Sequence, residues 1–306
     1  MESNHPAVPR ARHSFDVRMD DGAVIRIRQH GEPGAPRLVL SHGNGLAIDG
    51  YFPFWGPLRE RYEVVVFDFR NHGHNPPHRE NAHNWQRFVL DMEALFQAIQ
   101  QELGKKRAAG VFHSLSGVVS AMHSLRFGRR FDALVLFDPP LFPPEGHPLR
   151  QSQWGDKDSL GQRARQRTDR YSDPSLLAAQ FRKRFTRWVP DAYELMARAT
   201  LRHDTSVGDW KLACPRDYEA NIFSSPSDQT LWSNMGRLPT PVKLICGDPA
   251  LPETTPPTLI GAQLAREHAL PYEAIAGTTH FLQIERPEEC LRATESFLRE
   301  FGLAAQ

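Results

Sequence analysis

One stretch decides the fold: Gly110-Val111-Phe112-His113-Ser114-Leu115-Ser116-Gly117-Val118-Val119. It joins a short apolar run to a helix-compatible run that extends to residue 127. A serine held on a tight turn between a strand and a helix is a nucleophile elbow, usually written G-x-S-x-G. Ser116 and Gly117 supply the small side chains that this turn needs, whereas Phe112 stands where the first glycine is usual. The pattern predicts that Ser114 is a nucleophile, and the alternative is an ordinary helix N-cap.

The sequence on both sides of this stretch has the pattern of a parallel sheet covered by helices. Short runs at 37–41, 63–67 and 133–137 are mostly hydrophobic, and a segment with helical periodicity, such as 84–103, separates such runs. Strands that are buried on both faces and joined by helices form a parallel α/β sheet. Alternating runs within 14–29 predict a β-hairpin ahead of that sheet.

The alternation of strands and helices stops between residues 141 and 238. No comparable apolar strand occurs there, and the pattern is helical until a strand at 241–246 restores the alternation. An insertion that leaves and re-enters a sheet at neighbouring strands is most simply a lid over their carboxyl ends, where open α/β sheets bind ligands. We therefore predict a first part of the core at 1–140, a helical cap at 141–238 and a second part of the core at 239–306.

Composition and charge exclude several classes of protein. The formal net charge is +1, so we expect no broad basic surface for nucleic acid. No stretch is long and apolar enough to span a membrane, and residues 1–12 lack the apolar core of a signal peptide. Cys214, Cys246 and Cys290 lack metal-ligand spacing, and an odd number argues against a disulfide framework. We expect a cytoplasmic protein without cofactor, metal, nucleic-acid partner or membrane partner; a homodimer stays open.

Further polar motifs follow the predicted strands in an informative order. His280 lies in Gly277-Thr278-Thr279-His280-Phe281, after the last predicted strand, and an aspartate follows an earlier one. The order Ser, Asp, His is that of the α/β-hydrolase arrangement. The loop His42-Gly43-Asn44 follows the strand after which that fold places its second oxyanion donor.

On these residues the chain resembles the α/β-hydrolase superfamily, in a form with a serine nucleophile and an inserted helical cap. The resemblance runs from about residue 13 to residue 303. It implies a mostly parallel, eight-stranded sheet with helices on both faces. Four segments carry it, namely 41–45 (the oxyanion loop), 68–75 (D-x-R-G-x-G-x-S, with Asn71 and Asn75 as departures), 113–117 (H-S-M-G-G) and 277–287 (G-x-x-H-x-x-x-x-E-x-P).

The resemblance also implies roles for individual residues. Ser114 would attack a carbonyl carbon while His280 takes its proton and later returns it to the leaving group. The backbone N–H groups of Leu115 and Asn44 would hold the oxyanion. The candidate substrate contacts are Gly43, His113 and Trp188. Trp188 belongs to a group of aromatic residues expected to pack the cap on the core: Trp154, Trp188, Trp210, Phe181 and Phe185.

The acid of the triad departs from the family pattern. The family often shows G-x-x-D after the penultimate strand, and this chain has Gly247-Asp248-Pro249-Ala250, with Ala250 at the usual position of the acid. Asp248 lies two residues earlier and can still orient His280 from this loop. Asp138 ends the strand before the insertion, and some family members supply their acid there. We favour Asp248 and keep Asp138 as the alternative acid.

The resemblance implies a hydrolase that acts on a small ester, thioester or lactone with an apolar acyl part. A carbon–carbon bond hydrolase that uses the same triad stays open. A non-catalytic ligand-binding homologue also stays open, because Phe112, Ser116 and Ala250 depart from the family pattern.

Overall fold

The computed structural model describes residues 7–150, 157–225 and 227–304. Its strands are β1 (His13–Arg18), β2 (Val24–Gly31), β3 (Arg37–Ser41), β4 (Glu63–Phe67), β5 (Ala108–His113), β6 (Ala133–Phe137), β7 (Arg170–Tyr171), β8 (Leu201–Asp204), β9 (Asp209–Leu212), β10 (Val242–Cys246) and β11 (Tyr272–Ala274). The main sheet has eight strands in the order β1-β2-β4-β3-β5-β6-β10-β11.

The main sheet is parallel except at one edge. There β1 pairs antiparallel with β2, and β2 pairs antiparallel with β4, whereas the remaining neighbours pair in parallel. Every residue of β3, β4, β5, β6 and β10 is buried. Strands of a parallel sheet covered on both faces show this continuous burial. The predicted hairpin, the parallel sheet and the fold class are thus confirmed.

Helices cover both faces of the sheet. They are α1 (Phe52–Trp55), α2 (Trp85–Glu102), α3 (Leu115–Phe127), α4 (Lys157–Gln166), α5 (Pro174–Arg184), α6 (Pro190–Thr200), α7 (Arg216–Ser224), α8 (Leu231–Asn234), α9 (Pro256–His268), α10 (Leu282–Glu285) and α11 (Pro287–Glu300). Residues of α2, α3 and α9 form one apolar cluster, and residues of α1, α6 and α11 belong to another. Across the described ranges, no helix has the length and apolarity needed to cross a bilayer.

The segment between β6 and β10 carries a small sheet that the sequence does not reveal. Strands β7, β9 and β8 form a three-stranded antiparallel sheet among the helices α4 to α8. The expectation of a purely helical insertion is therefore wrong. These strands are only two or four residues long and mix charged with apolar residues, so they produce no apolar run. The domain boundaries at 141 and 238 stay a prediction.

This inserted segment packs against the loop that follows β3 and against helix α10. The N–H of Val189 donates to the carbonyl oxygen of Ile284 (2.9 Å), and Asn44 Nδ2 donates to the carbonyl oxygen of Glu219 (2.9 Å). The aromatic residues expected to pack it on the core are found in one apolar cluster or against it: Phe181, Phe185, Trp188 and Trp210. Trp154 lies outside the described residues.

Candidate active site

Ser114 stands on a strained turn between β5 and α3. Its φ of 52° and ψ of −114° put a non-glycine residue in the left-handed half of the backbone map, which costs about 1–3 kcal/mol and must be held by its surroundings. Ser116 Oγ holds the turn by accepting from the N–H of His113 and donating to its carbonyl oxygen, both at 2.9 Å. Ser114 makes no side-chain cap of α3, so the ordinary N-cap alternative does not describe it.

The unusual Phe112 leaves the turn undisturbed because its ring lies in the core. Phe112 is fully buried and packs edge-on against Phe131, with ring centroids 5.7 Å apart. Gly110 is two residues earlier on the same face of β5, and a Cβ there would lie 2.4 Å from the Phe112 ring. The missing glycine at 112 is thus matched by a glycine at 110 that makes room for the larger side chain.

His280 lies between Ser114 and Asp138. Its Nε2 is 3.1 Å from Ser114 Oγ, and its Nδ1 is 2.8 Å from Asp138 Oδ2. Because an ionised carboxylate only accepts hydrogen bonds, Nδ1 carries the proton of the neutral imidazole. The lone pair of Nε2 then faces the hydroxyl of Ser114, which is the arrangement that a general base requires.

Asp138 is fixed by neighbours from two other elements. It is fully buried, its φ is 44°, and its carboxylate accepts from Thr258 Oγ1 at 3.0 Å to each oxygen. The N–H of Gly247 adds a longer contact to Oδ1 (3.3 Å). Sequence reasoning missed Thr258, which lies in the first turn of α9 and has no motif around it.

The prediction that Asp248 orients His280 is wrong. Asp248 Oδ2 accepts from the N–H of Gly277 (2.8 Å), and Oδ1 accepts from the N–H of Ala250 (2.9 Å). These backbone donors hold the pKa of Asp248 below its usual value. Its carboxylate therefore braces the loop before His280, and the alternative acid, Asp138, reaches the ring.

A second chain of hydrogen bonds links the loop after β3 to the His280 loop. The N–H of Gly43 donates to Tyr51 Oη (3.3 Å), which is 2.7 Å from His113 Nδ1. His113 Nε2 is 2.8 Å from the carbonyl oxygen of His280. Since a carbonyl only accepts, Nε2 carries the proton and Nδ1 accepts from Tyr51. Burial, with His280 nearby, holds the pKa of His113 well below its ordinary value.

His113 was predicted to contact the substrate, and its surroundings argue against a polar contact. It is 1% exposed, and both ring nitrogens are already hydrogen-bonded. Its place in the structure is that of a link between Tyr51 and the backbone of His280.

The loop after β3 passes directly beside Ser114. A Cβ on Gly43 would lie 3.0 Å from His113 Nδ1 and 3.3 Å from Ser114 Cβ, so glycine allows this close approach. His42 anchors the loop, because its Nδ1 donates to the carbonyl oxygen of Gly43 (2.8 Å) and its Nε2 accepts from the N–H of Phe69 (3.1 Å). Burial lowers the pKa of His42 to about 4, which keeps it neutral.

The family model described as the alpha/beta hydrolase family matches residues 38–293. The chain belongs to the alpha/beta hydrolase family. Solved structures similar to this family member over most of its length include E-2-(acetamidomethylene)succinate hydrolase, at 19% identity and a TM-score of 0.75, covering 94% of this chain and 99% of that one. A thioesterase domain from the curacin biosynthetic pathway has 15% identity and a TM-score of 0.71, with coverages of 92% and 98%. A hydrolase from Pseudomonas aeruginosa PA01 has 21% identity and a TM-score of 0.67, with coverages of 94% and 99%.

Aromatic side chains form an apolar wall next to His280 in this alpha/beta hydrolase. Phe281 has its ring centroid 5.4 Å from that of His280 and 5.2 Å from that of Trp188. Trp188 stacks on Phe185 at 4.7 Å and is 4% exposed. Its Nε1 is buried and has no hydrogen-bond partner among the residues that the structure describes. A buried donor without a partner is costly, and here it belongs to the aromatic wall beside His280.

Proposed function

We propose that this chain is a serine hydrolase that cleaves a small ester, thioester or lactone through an acyl-enzyme. The triad is Ser114, His280 and Asp138. The observation that carries the proposal is the unbroken line of hydrogen bonds from Ser114 Oγ through both nitrogens of His280 to Asp138. In this line His280 Nδ1 faces the Asp138 carboxylate and Nε2 faces the Ser114 hydroxyl.

The reaction follows from this line. Ser114 Oγ attacks the carbonyl carbon while His280 Nε2 takes the hydroxyl proton, and Asp138 stabilises the imidazolium that forms. His280 then gives the proton to the leaving alcohol or thiol as its bond to the acyl carbon breaks. In the second half, His280 takes a proton from water, the hydroxide oxygen attacks the acyl carbon, and the acid leaves as Ser114 recovers its proton.

The oxyanion is held by backbone N–H groups on each side of Ser114. Leu115 is the first residue of α3, so its N–H has no partner within the helix. Asn44 follows Gly43 in the loop that passes beside Ser114, and its side chain is held by the carbonyl oxygen of Glu219. Removing one such donor typically costs about 3 kcal/mol of transition-state stabilisation.

The three departures that left a non-catalytic homologue open each have a structural answer. The Phe112 ring packs in the core, Ser116 Oγ braces the turn, and the acid missing at Ala250 is matched by Asp138. The aromatic wall of Phe281, Trp188 and Phe185 favours a substrate with an apolar acyl part. These observations support an active enzyme of the carboxylic ester hydrolase type.

The first test is labelling with a fluorophosphonate, which reacts only with an activated serine. We expect one adduct per chain, located on Ser114 by mass spectrometry, and none in Ser114→Ala. His280→Ala should remove the labelling while leaving the fold intact by circular dichroism. A folded wild-type protein that stays unlabelled would refute the proposal.

A further inference from the structure

Three side chains with metal-binding atoms meet at a place that the proposed reaction does not use. They are His72, His83 and Cys214, and one ligand atom from each lies within 4.8 Å of the other two. All three residues are buried. His72 and His83 come from the connection between β4 and α2, and Cys214 follows β9 in the inserted segment. The group therefore spans the contact between that segment and the core.

The hydrogen bonds of His72 place its proton on Nδ1 and its lone pair on Nε2. Its Nδ1 is 3.0 Å from the carbonyl oxygen of Arg70 and must carry the proton, and its Nε2 accepts from the N–H of Gly45 at 3.2 Å. A histidine that binds a metal usually donates its other ring N–H to a carbonyl or carboxylate in this way. The Nε2 lone pair therefore points at the N–H of Gly45, and an ion that binds Nε2 must displace this hydrogen bond.

His83 has a buried nitrogen that lacks a partner. Its Nε2 makes no hydrogen bond within the described part of the chain, although the residue is only 4% exposed. A buried polar atom left in this state destabilises the fold unless something binds it. The rings of Phe88 and Tyr218 pack against His83. The imidazole is thus enclosed and short of one interaction.

We propose that His72, His83 and Cys214 bind one divalent metal ion that has affinity for sulfur, such as zinc. The bound ion links the inserted segment to the core. Two imidazoles and a thiolate are a donor set that zinc accepts, and three protein donors leave its fourth position for water. Donor atoms around tetrahedral zinc lie about 3.3–3.6 Å apart, given bond lengths of about 2.0 Å to nitrogen and 2.3 Å to sulfur. The three atoms must therefore close by about 1 Å.

Metal binding at this site involves the loss of a proton and no change of oxidation state. The Cys214 thiol loses its proton to the buffer, its sulfur bonds to the ion, and one proton is released for each ion bound.

Asn71 gives the proposal a gain-of-function test. To bind through Nε2, His83 must carry its proton on Nδ1, which now lies 3.1 Å from the Asn71 Nδ2 donor. Asn71 Oδ1 is already taken by the N–H of His78. In Asn71→Asp one carboxylate oxygen accepts from the backbone N–H of His78, and the other accepts from His83 Nδ1–H. Aspartate also tolerates the φ of 63° at this position. This variant should bind the metal about tenfold more tightly, the lower end of the range for an outer partner.

The experiment is equilibrium dialysis of the metal-stripped full chain against Zn²⁺, followed by metal analysis. We expect one ion per chain, at least tenfold weaker binding in Cys214→Ser, tighter binding in Asn71→Asp, and no change in the control Cys290→Ser. Co²⁺ in place of zinc should give a thiolate-to-metal charge-transfer band that Cys214→Ser lacks. If Cys214→Ser does not fold, the proposal is tested by two other results. These are the thiolate-to-cobalt band of the wild type and the tighter metal binding of Asn71→Asp. Equal binding by wild type and Cys214→Ser, or a cobalt spectrum without the thiolate band, would overturn the proposal.

Discussion

The structure predicts that substitution of Asp138 lowers kcat far more than substitution of Asp248. Each aspartate follows a strand of the same sheet. The test replaces each with asparagine, which keeps the shape and removes the charge. Asp138 is fully buried, with its Oδ2 2.8 Å from His280 Nδ1. Asp248 makes its contacts with the backbone N–H groups of Gly277 and Ala250. Only the first substitution should remove an interaction with the imidazole.

The orientation of the new amide in Asp138→Asn follows from its neighbours. The N–H of Gly247 points at Oδ1, so the carbonyl of the asparagine must stay on that side to avoid two donors facing each other. The amide nitrogen then faces His280 Nδ1 and forces the imidazole proton onto Nε2. The lone pair that should accept the Ser114 proton is lost, and so is the charge that stabilises the imidazolium.

We expect a large loss of kcat in Asp138→Asn and a small loss of kcat in Asp248→Asn. A wrong histidine tautomer in a serine triad costs about 10⁴ in kcat, which corresponds to about 5.4 kcal/mol of barrier. Asp248→Asn should lower kcat less than tenfold, because it only loosens the loop ahead of His280. The assay is hydrolysis of p-nitrophenyl acetate together with the rate of fluorophosphonate labelling, with melting temperature as the check on folding. Equal losses in the two variants, or a larger loss in Asp248→Asn, would refute the assignment of Asp138.

Three further variants or conditions test the surroundings of the triad. Thr258→Val removes the hydroxyl that donates to both Asp138 oxygens, so kcat should fall about tenfold with KM unchanged, and a Thr258→Ser variant should restore it. Tyr51→Phe leaves His113 Nδ1 without its donor, and we expect a similar loss in kcat; an altered KM alone would contradict a positioning role. His42 is neutral when folded, with a pKa of about 4, whereas the unfolded chain protonates it near 6.5. The unfolded state binds the extra proton between these values, so stability should fall as pH drops from about 6.5 to 4, by up to about 1.4 kcal/mol per pH unit from this residue. Urea unfolding of wild type and His42→Asn across that range measures the slope.

The parts of the fold that sequence predicts are those with a repeating physical signal. A strand buried on both faces is apolar along most of its length, and β3, β4, β5, β6 and β10 are all fully buried and mostly apolar. Ser114 and His280 sit in local motifs whose spacing reflects a turn geometry. The small sheet of β7, β8 and β9 has no such signal. Its short strands are partly exposed, and ion pairs such as Arg170 with Asp204 link them.

The sequence names both candidate acids but favours the wrong one, because side-chain direction is decided by backbone turns that the sequence pattern does not encode. Asp138 and Asp248 both follow apolar strands and both precede proline. At Asp138 a positive φ of 44° accompanies a carboxylate that meets His280, whereas the carboxylate of Asp248 meets backbone amides. The partners of Asp138 and His113 lie far along the chain, at Thr258 and Tyr51, and no local pattern marks them.

The His280 loop is held from three directions, which explains why its sequence pattern extends to a glutamate five residues later. Glu285 accepts from the N–H and the hydroxyl of Thr279, at 2.6 and 2.5 Å, and so closes the loop on itself. His113 holds the carbonyl of His280, and Val189 of the inserted segment holds the carbonyl of Ile284 in α10. The glutamate therefore fixes the loop rather than taking part in the reaction. The inserted segment is also hydrogen-bonded to α10 through Val189. A displacement of that segment should therefore shift the His280 imidazole through α10 as well as through the aromatic wall.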